Sequence, residues 1–353
     1  MTTLFLIFDY YFKYVIIALK LGEKMKILVT GAAGTLGSEV VKQLEKRYDV
    51  KLFAMDLKNS KNEKILKDVR TIWGDITDKC LWENDFVDNF DAIIHLAAII
   101  PPLADKNPEL AKSVNVEGTR NIVNAIQKKN KTFLLYASSI SVYGDRVLDY
   151  WINVGDELRP SVGDEYAKTK IEAEKIIQES KIPHSIFRLS AVMDKPELDP
   201  LMFHMPLDTK LEIITTKDAA RACINALDHE RELDQNIYNL GGGRKYRTTY
   251  REFLTRMFEI YGLNIKYLNE EAFATQNFHC GYYKDSNKLN DIVDFQIGDI
   301  DDYYRETYLK VPKITRICTQ MFSRPIIYFL NKSSEPLQAK MDHDEELIKR
   351  FYK

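Results

Sequence analysis

The heptapeptide DEYAKTK, residues 164–170, sets a phenol and an ammonium four residues apart. On a helix, Tyr166 and Lys170 share one face. Such a pair has two readings. It is a solvated contact at the exposed start of a helix, or it is a base and its charge partner placed to move a proton. Free tyrosine has a pKa near ~10, too high for proton abstraction at neutral pH. A nearby ammonium favours the phenolate and brings that value down. Tyr and Lys recur at this spacing by chance, so the choice depends on what the rest of the chain assembles around them.

A second constellation lies near the start of the chain. TGAAGTLG places Gly31, Gly34 and Gly37 directly after the apolar run KILVT and at the head of the amphipathic stretch GSEVVKQLEKR. The first glycine permits a tight turn, the second lets backbone approach a pyrophosphate, and the third allows close helix–strand packing. The phosphates then meet the free N–H groups of a helix N-terminus. Asp56 closes the next strand, about 20 residues on, where a carboxylate accepts ribose hydroxyls. An acid there repels a 2′-phosphate, which favours NAD; Lys58 nearby keeps NADP open. Asp75, in WGDI, either reaches an adenine edge or caps the helix before TDKCLW.

The elements that must position these residues follow from periodicity. KILVT, VKLFAMD, VRTIWGDI, DAIIHLAA, KTFLLYASS and HSIFRLS are short apolar runs separated by helical stretches. One helix is predicted over about 107–129, and another carries Tyr166 to about 179. Strands alternating with helices of this length give βαβ units, a parallel sheet and a doubly wound, Rossmann-like α/β fold. Residues 25–190 form the dinucleotide-binding domain on this reading. Residues 191–310 form a smaller interleaved region for substrate, beginning as a Pro-, Met- and Asp-rich loop and returning in part to the sheet over 211–240. Ligands sit where two such lobes meet. The tail, 311–353, reads as helices packed on the small lobe or as a surface that touches membrane. Its end, MDHDEELIKRFYK, is a charged helix or a frayed terminus.

Residues 1–24 are very apolar but carry Asp9 and Lys13. They are short for a membrane span and lack the basic start and cleavage site of a signal peptide. Because MKILVTGAAG from Met25 itself resembles a start, this stretch reads as an extension outside the fold, an interfacial anchor, or a helix packed on the body. Composition narrows the function classes. Fifty basic against 52 acidic residues, a net charge of −2 in 353, give no basic excess for nucleic acid. Four scattered cysteines without a C-x-x-C pair fit a reducing cytoplasm. Six histidines form no ligand cluster, so no metal site is expected.

The fifth strand ends in YASSISVYG, and strand carboxyl ends line the ligand crevice in this architecture. Ser138 and Ser139 therefore stand beside a nicotinamide if one is bound. A hydride leaves a carbinol carbon only if the hydroxyl proton leaves too, so Tyr166 becomes the base, Lys170 its charge partner, and Ser139 the group that holds the substrate oxygen.

TGAAGTLG, GDI, HLAA, YASSISVYG and YAKTK, in this order and spacing, resemble the extended short-chain dehydrogenase/reductases, and more narrowly the NAD-dependent epimerase/dehydratase group. The resemblance covers about residues 25–300 and includes VNVEGTRNIVNA, TTKDAARACINAL and YNLGGG. It implies NAD, catalytic residues Ser139, Tyr166 and Lys170, and a homodimer. It also implies cofactor contacts at Gly31, Gly34, Thr35, Leu36, Gly37, Asp56, Asp75, Ile76, Leu96, Ala97, Ala98 and Asn115, with Tyr166 and Lys170 touching the cofactor as well. Ser141 and Arg188 are the expected substrate contacts beside Ser139, and Arg188 and Arg247 could grip a diphosphate; a structural salt bridge is the alternative for both arginines. Ile140 and Ser141 stand where the 4,6-dehydratases carry an Asp-Glu pair, which argues against water elimination. Arg188, Leu189 and Ser190 lack the Asn that UDP-galactose 4-epimerases carry after this strand. AAIIPPLADKNP, with Pro101 and Pro102, either covers the nicotinamide or fixes a turn. The expected activity is an NAD-dependent epimerase or oxidoreductase acting on a nucleotide sugar. A dehydrogenase of a non-sugar or lipid-linked alcohol, and an NAD(H)-binding sensor without turnover, are the rivals.

Overall fold

The computed structural model describes residues 24–83, 86, 90–128, 131–194 and 198–353. The apolar stretch 1–23 considered above lies outside the described residues. The chain lays down a seven-stranded sheet of β1 (Met25–Thr30), β2 (Val50–Asp56), β3 (Thr71–Trp73), β4 (Ala92–His95), β5 (Phe133–Ser139), β7 (His184–Leu189) and β10 (Asn236–Leu240), in spatial order β10-β7-β5-β4-β1-β2-β3. Every pairing in this sheet is parallel. Its strands are near-continuous apolar runs because both faces are covered. Alternation decides which face each residue serves. Ile27, Val29, Ala54 and Ile94 join one core, while Leu28, Phe53, Met55 and Ile93 join the other.

Strand order reverses between β1 and β4, since β2 and β3 lie on one side of β1 and β4, β5 and β7 on the other. A switch point of this kind opens a crevice at the strand carboxyl ends. The glycine turn, His95-Leu96 and Ser139 all emerge at that edge. The helix expected over 107–129 is interrupted: helix Pro108–Lys112 passes through a π-helical turn, Ser113–Gly118, into helix Thr119–Gln127. Such wide turns often mark functional sites, and this one carries Asn115. The Tyr166 helix runs Glu165–Ser180, capped by the Asp164 carboxylate, which accepts from the Ala167 N–H at 2.8 Å.

The second part of the chain is built on a smaller sheet. Residues 191–193, read from sequence as loop, form β8 (Ala191–Met193), which pairs in parallel with β9 (Lys210–Thr215). Pairing across a long connection leaves no local trace in three residues, which is why the sequence hides it. β11 (Arg247–Thr249) pairs antiparallel with β9. A two-stranded ribbon of β6 (Trp151–Ile152) and β12 (Tyr282–Tyr283) brings segments from the two parts of the chain together. Phe203, Leu211, Ile213, Phe253, Tyr304 and Ile327 belong to a separate core under helices Tyr250–Tyr261 and Ile300–Lys310. Beyond them run four short helices: Lys313–Met321, Ser323–Lys332, Glu335–Met341 and Glu345–Phe351.

Candidate active site

The glycine turn is shaped by close backbone approach. Gly31 has φ +68°, and a Cβ there would stand 2.7 Å from the Ala97 backbone. A Cβ on Gly37 would fall 2.1 Å from the Gly31 carbonyl. These two positions exclude a side chain, as the turn and packing roles require. Gly34 is the N-cap of helix Thr35–Leu44 and supplies no side-chain cap, so the N–H groups of the first turn, over Thr35, Leu36 and Gly37, are left for another partner. Thr35 is exposed and Leu36 partly so.

Asp56 ends β2 beside this turn. One carboxylate oxygen accepts from the Ala33 N–H at 2.8 Å, and the other accepts from the Leu57 N–H and the Asn62 amide. Asp75 is exposed and accepts from the Thr77 N–H at 2.9 Å, which is the capping alternative for that residue. Ile76 is buried against Gly118, where a Cβ would meet its side chain at 2.6 Å. Leu96, Ala97 and Ala98 follow β4 and are partly exposed at the crevice edge.

A buried polar chain ties this edge to the Tyr166 helix. The Asn115 amide accepts from the Ile99 N–H at 2.7 Å and donates to the Ile99 carbonyl and to Thr169 Oγ1, each at 2.9 Å. Thr169 Oγ1 in turn donates to the Tyr166 carbonyl at 2.7 Å. His95 bridges Thr30 Oγ1 at 2.7 Å and Thr119 Oγ1 at 2.9 Å. Because the Thr119 hydroxyl donates to the Asn115 carbonyl, its oxygen accepts from His95 Nε2–H, and Nδ1 accepts from Thr30. Burial, with the Lys170 charge acting the same way, pushes the His95 pKa down to about 3, so the ring is neutral.

Ser139 closes β5. Its Oγ accepts from the Ser141 N–H at 3.2 Å and from the Ser141 hydroxyl at 3.0 Å. That leaves the Ser139 proton free to be donated, and a Ser139 hydrogen bond reaches the Tyr166 phenol. Ser141 is fully buried and positions Ser139; the expected direct substrate contact by Ser141 is not what its burial permits. Lys170 Nζ donates to the Ala137 carbonyl at 2.7 Å and lies 5.7 Å from the Tyr166 ring centroid. Ser139, Tyr166 and Lys170 are thus brought together at the carboxyl end of β5.

Charge in this cluster is set by residues that sequence reasoning missed. Glu174 is fully buried on the same helix, and Arg188 Nη2 reaches its carboxylate at 2.6 Å and Nε at 3.0 Å. Ser138 donates to the same carboxylate. Arg188 Nη1 also donates to the Tyr143 hydroxyl at 2.8 Å and the Val154 carbonyl at 3.0 Å. Arg188 is therefore a buried structural cation, the salt-bridge alternative to a substrate contact. Glu174 was discoverable: it stands four after Lys170 and eight after Tyr166, on one helical face.

Arg188 is the ion-pair partner of Glu174. Burial then dominates at Lys170 and brings its pKa down to about 7, with Glu174 pulling it back up. Burial raises Tyr166 above its ordinary value, the Ser139 hydrogen bond lowers it, and the Asp164 charge raises it further. The expected acidification of Tyr166 by Lys170 is not met in the protein alone, because loss of water dominates at both groups and the Glu174 charge offsets only part of it at Lys170. Burial likewise raises Asp164 to about 6. Pro101, Asp164, His204, His279 and Phe351 line a cavity of about 260 Å³ at this helix N-terminus. A larger recess of about 590 Å³, lined by none of Ser139, Tyr166 and Lys170, lies between helix Thr35–Leu44 and helix Ile300–Lys310. Among the described residues no cluster of three or more His, Cys, Asp or Glu could hold a metal ion.

Comparison with known proteins follows the same outline. Residues 27–193 match the model of the NAD dependent epimerase/dehydratase family. Over 163 residues the chain is 31% identical to the dTDP-glucose 4,6-dehydratase of Mycolicibacterium smegmatis, covering 44% of this chain and 48% of that one. It is 31% identical over 144 residues to human 3 beta-hydroxysteroid dehydrogenase type 7, covering 39% of each. The chain thus spans half or less of the length of these curated relatives. The solved structure of the UDP-glucuronic acid 4-epimerase from Bacillus cereus, with UDP-glucuronic acid and NAD, superposes with a TM-score of 0.65. That match is 18% identical and covers 80% of this chain and 98% of the other, a likeness of fold.

Proposed function

From the match of residues 27–193 to the model of the NAD dependent epimerase/dehydratase family, we propose that the protein is an NAD-dependent epimerase or oxidoreductase of a nucleotide sugar. The observation that carries this is the convergence of the Ser139 hydroxyl, the Tyr166 phenol and the Lys170 amine at the carboxyl end of β5.

The glycine turn fits a dinucleotide. Its helix N-terminus is uncapped by any side chain, and a Cβ on Gly34 would meet only the Gly31 carbonyl, at 3.2 Å, so the approach is open. Gly31, Gly34, Thr35, Leu36 and Gly37 would hold the pyrophosphate, with Asp56 at the adenosine ribose. Asp75, Ile76, Leu96, Ala97 and Ala98 would line its path. NAD held there would supply the hydride acceptor and a positive ring.

The chain's own residues supply the rest. Ser139 donates to the substrate oxygen and fixes its distance. Tyr166 takes the hydroxyl proton, and Lys170, titrating near neutrality, is its charge partner. Asn115 holds the 98–99 segment and the Tyr166 helix in one register. Residues 191–310 cover the substrate. Ile140 and Ser141, both buried, place no carboxylate directly after Ser139, which argues against elimination of water by the dehydratase route.

The test is direct. Purified protein is incubated with NAD and, separately, UDP-glucose, UDP-glucuronic acid and dTDP-glucose. Inversion at the oxidised carbon without release of NADH identifies an epimerase, and net NADH a dehydrogenase. A second reading, oxidation of a sterol-like alcohol, is favoured by the match to the human steroid dehydrogenase. NADH formed with a 3β-hydroxysteroid but with none of the sugar nucleotides would replace the first reading with this one.

A further inference from the structure

The tail carries a charge pattern unlike the rest of the chain. Residues 307–334 contain five cations and no carboxylate, although 52 Asp and Glu over 353 residues would place about four in that length. Structure sorts this segment into two faces. Ile327 and Leu330 turn inward and join the core of the small lobe. Ile314, Ile317 and Met321 turn outward, spaced three and four apart as one stripe of helix Lys313–Met321. Phe322, Tyr328 and Phe329 continue that outward face, and Met321 and Phe329 are 75% and 68% exposed.

Cations border the stripe. Among the described residues, Lys313, Arg316, Arg324 and Lys332 form no ion pair with a carboxylate. Instead Arg316, Arg324 and Lys332 lie over the rings of Tyr308, Tyr267 and Tyr328, at 3.9, 5.1 and 5.0 Å. An apolar stripe with aromatic residues, edged by unpaired cations and free of acids, has the composition of a helix pair that lies in a membrane interface. Long basic side chains there keep their heads at the lipid phosphates while their stems cover apolar surface. No helix among the described residues is long and apolar enough to cross a membrane.

We propose that helices Lys313–Met321 and Ser323–Lys332 form a docking surface for an anionic lipid bilayer. A second copy of this chain is a poorer occupant, because a two-fold contact would bring the cations of one copy against those of the other. The apolar stretch 1–23 is a separate candidate for a lipid contact, and the variants below distinguish the two.

The experiment is co-sedimentation of the full-length chain with phosphatidylcholine vesicles, with and without phosphatidylserine. Binding is expected only to the anionic vesicles and weakens as salt is raised. Lys313→Gln and Arg324→Gln each lower it about five-fold, and Ile317→Ser with Phe329→Ser abolishes it. These side chains point outward, and circular dichroism and retained NAD binding verify that the variants fold. Failure to bind anionic vesicles overturns the proposal. So does binding that the four substitutions leave unchanged, which would move the contact to residues 1–23. A concentration-dependent dimer that Phe329→Ser dissociates, without vesicle binding, assigns the face to a second copy and overturns it equally.

Discussion

Two buried carboxylate–arginine pairs, one in each half of the molecule, make an instructive contrast. Under the parallel sheet, Glu174 receives Arg188 through Nε and Nη2, plus the Ser138 hydroxyl. In the small lobe, Glu212 receives Arg247 Nε at 2.8 Å, the Gly243 N–H at 3.1 Å and the Tyr283 N–H at 3.2 Å. The first carboxylate depends mainly on its arginine. The second is shared with two backbone groups, and its arginine is partly exposed between the Trp151 and Tyr282 rings. The first pair sits one helical turn from Lys170, and its carboxylate acts on the charge of that residue. The second pins β9, β11 and β12 together, which is a matter of shape. Electrostatics thus organises the half that would perform chemistry, and backbone pairing organises the half that would select substrate.

Removing each cation breaks this contrast most sharply. Arg188→Met strands Glu174 in a dry site and should lower unfolding free energy by about 3–5 kcal/mol, measured by urea denaturation. Arg247→Met leaves Glu212 two N–H donors and should lower it by less, about 1–3 kcal/mol. Equal losses would show that the backbone donors contribute nothing.

The next effect is pH-dependent. Folding lowers the Lys170 pKa from 10.5 to about 7. Between those values the unfolded chain binds more protons than the folded one, so this residue makes stability rise with pH across about 7 to 10, with no effect below that window. Relative to Lys170→Met, the native protein should gain on the order of 2 kcal/mol between pH 7 and 9 in urea unfolding. A parallel pH dependence in the two proteins would mean that Lys170 stays charged when folded. The smallest effect joins the two halves at their surface. Lys217 reaches Glu306 at 2.7 Å with both side chains about half exposed. Lys217→Gln should cost below ~1 kcal/mol, a loss that vanishes at high salt.

The same contrast explains what could be read from sequence. Gly31 and Gly37 were legible because only glycine combines a positive φ with backbone at 2.7 Å, as at Gly31, or fits a 2.1 Å approach, as at Gly37. Parallel strands were legible because burial on both faces demands unbroken apolar runs. Ser139, Tyr166 and Lys170 were legible from spacing on one strand end and one helix face. Arg188 and Arg247 were legible only as two alternatives, a diphosphate contact or a structural salt bridge, and the structure shows the second. A lone arginine carries no mark of whether its partner is a ligand or a carboxylate brought from elsewhere in the chain. The state of Lys170 was not legible, since its depressed pKa comes from burial among elements remote in sequence. Ser141 was placed at the right edge but one layer too far out. β8 was missed because a three-residue strand paired to residues 22 positions away has no period to detect.

The central claim is that the Tyr166 hydroxyl moves the substrate proton beside NAD bound at the glycine turn. Single-turnover rates of oxidation of the best sugar nucleotide, compared between the native protein and Tyr166→Phe with NAD affinity measured in parallel, test it most directly. A rate loss of about 10²–10⁴ is expected, with NAD affinity unchanged. A Tyr166→Phe variant that turns over within a factor of about three of the native rate would contradict the claim.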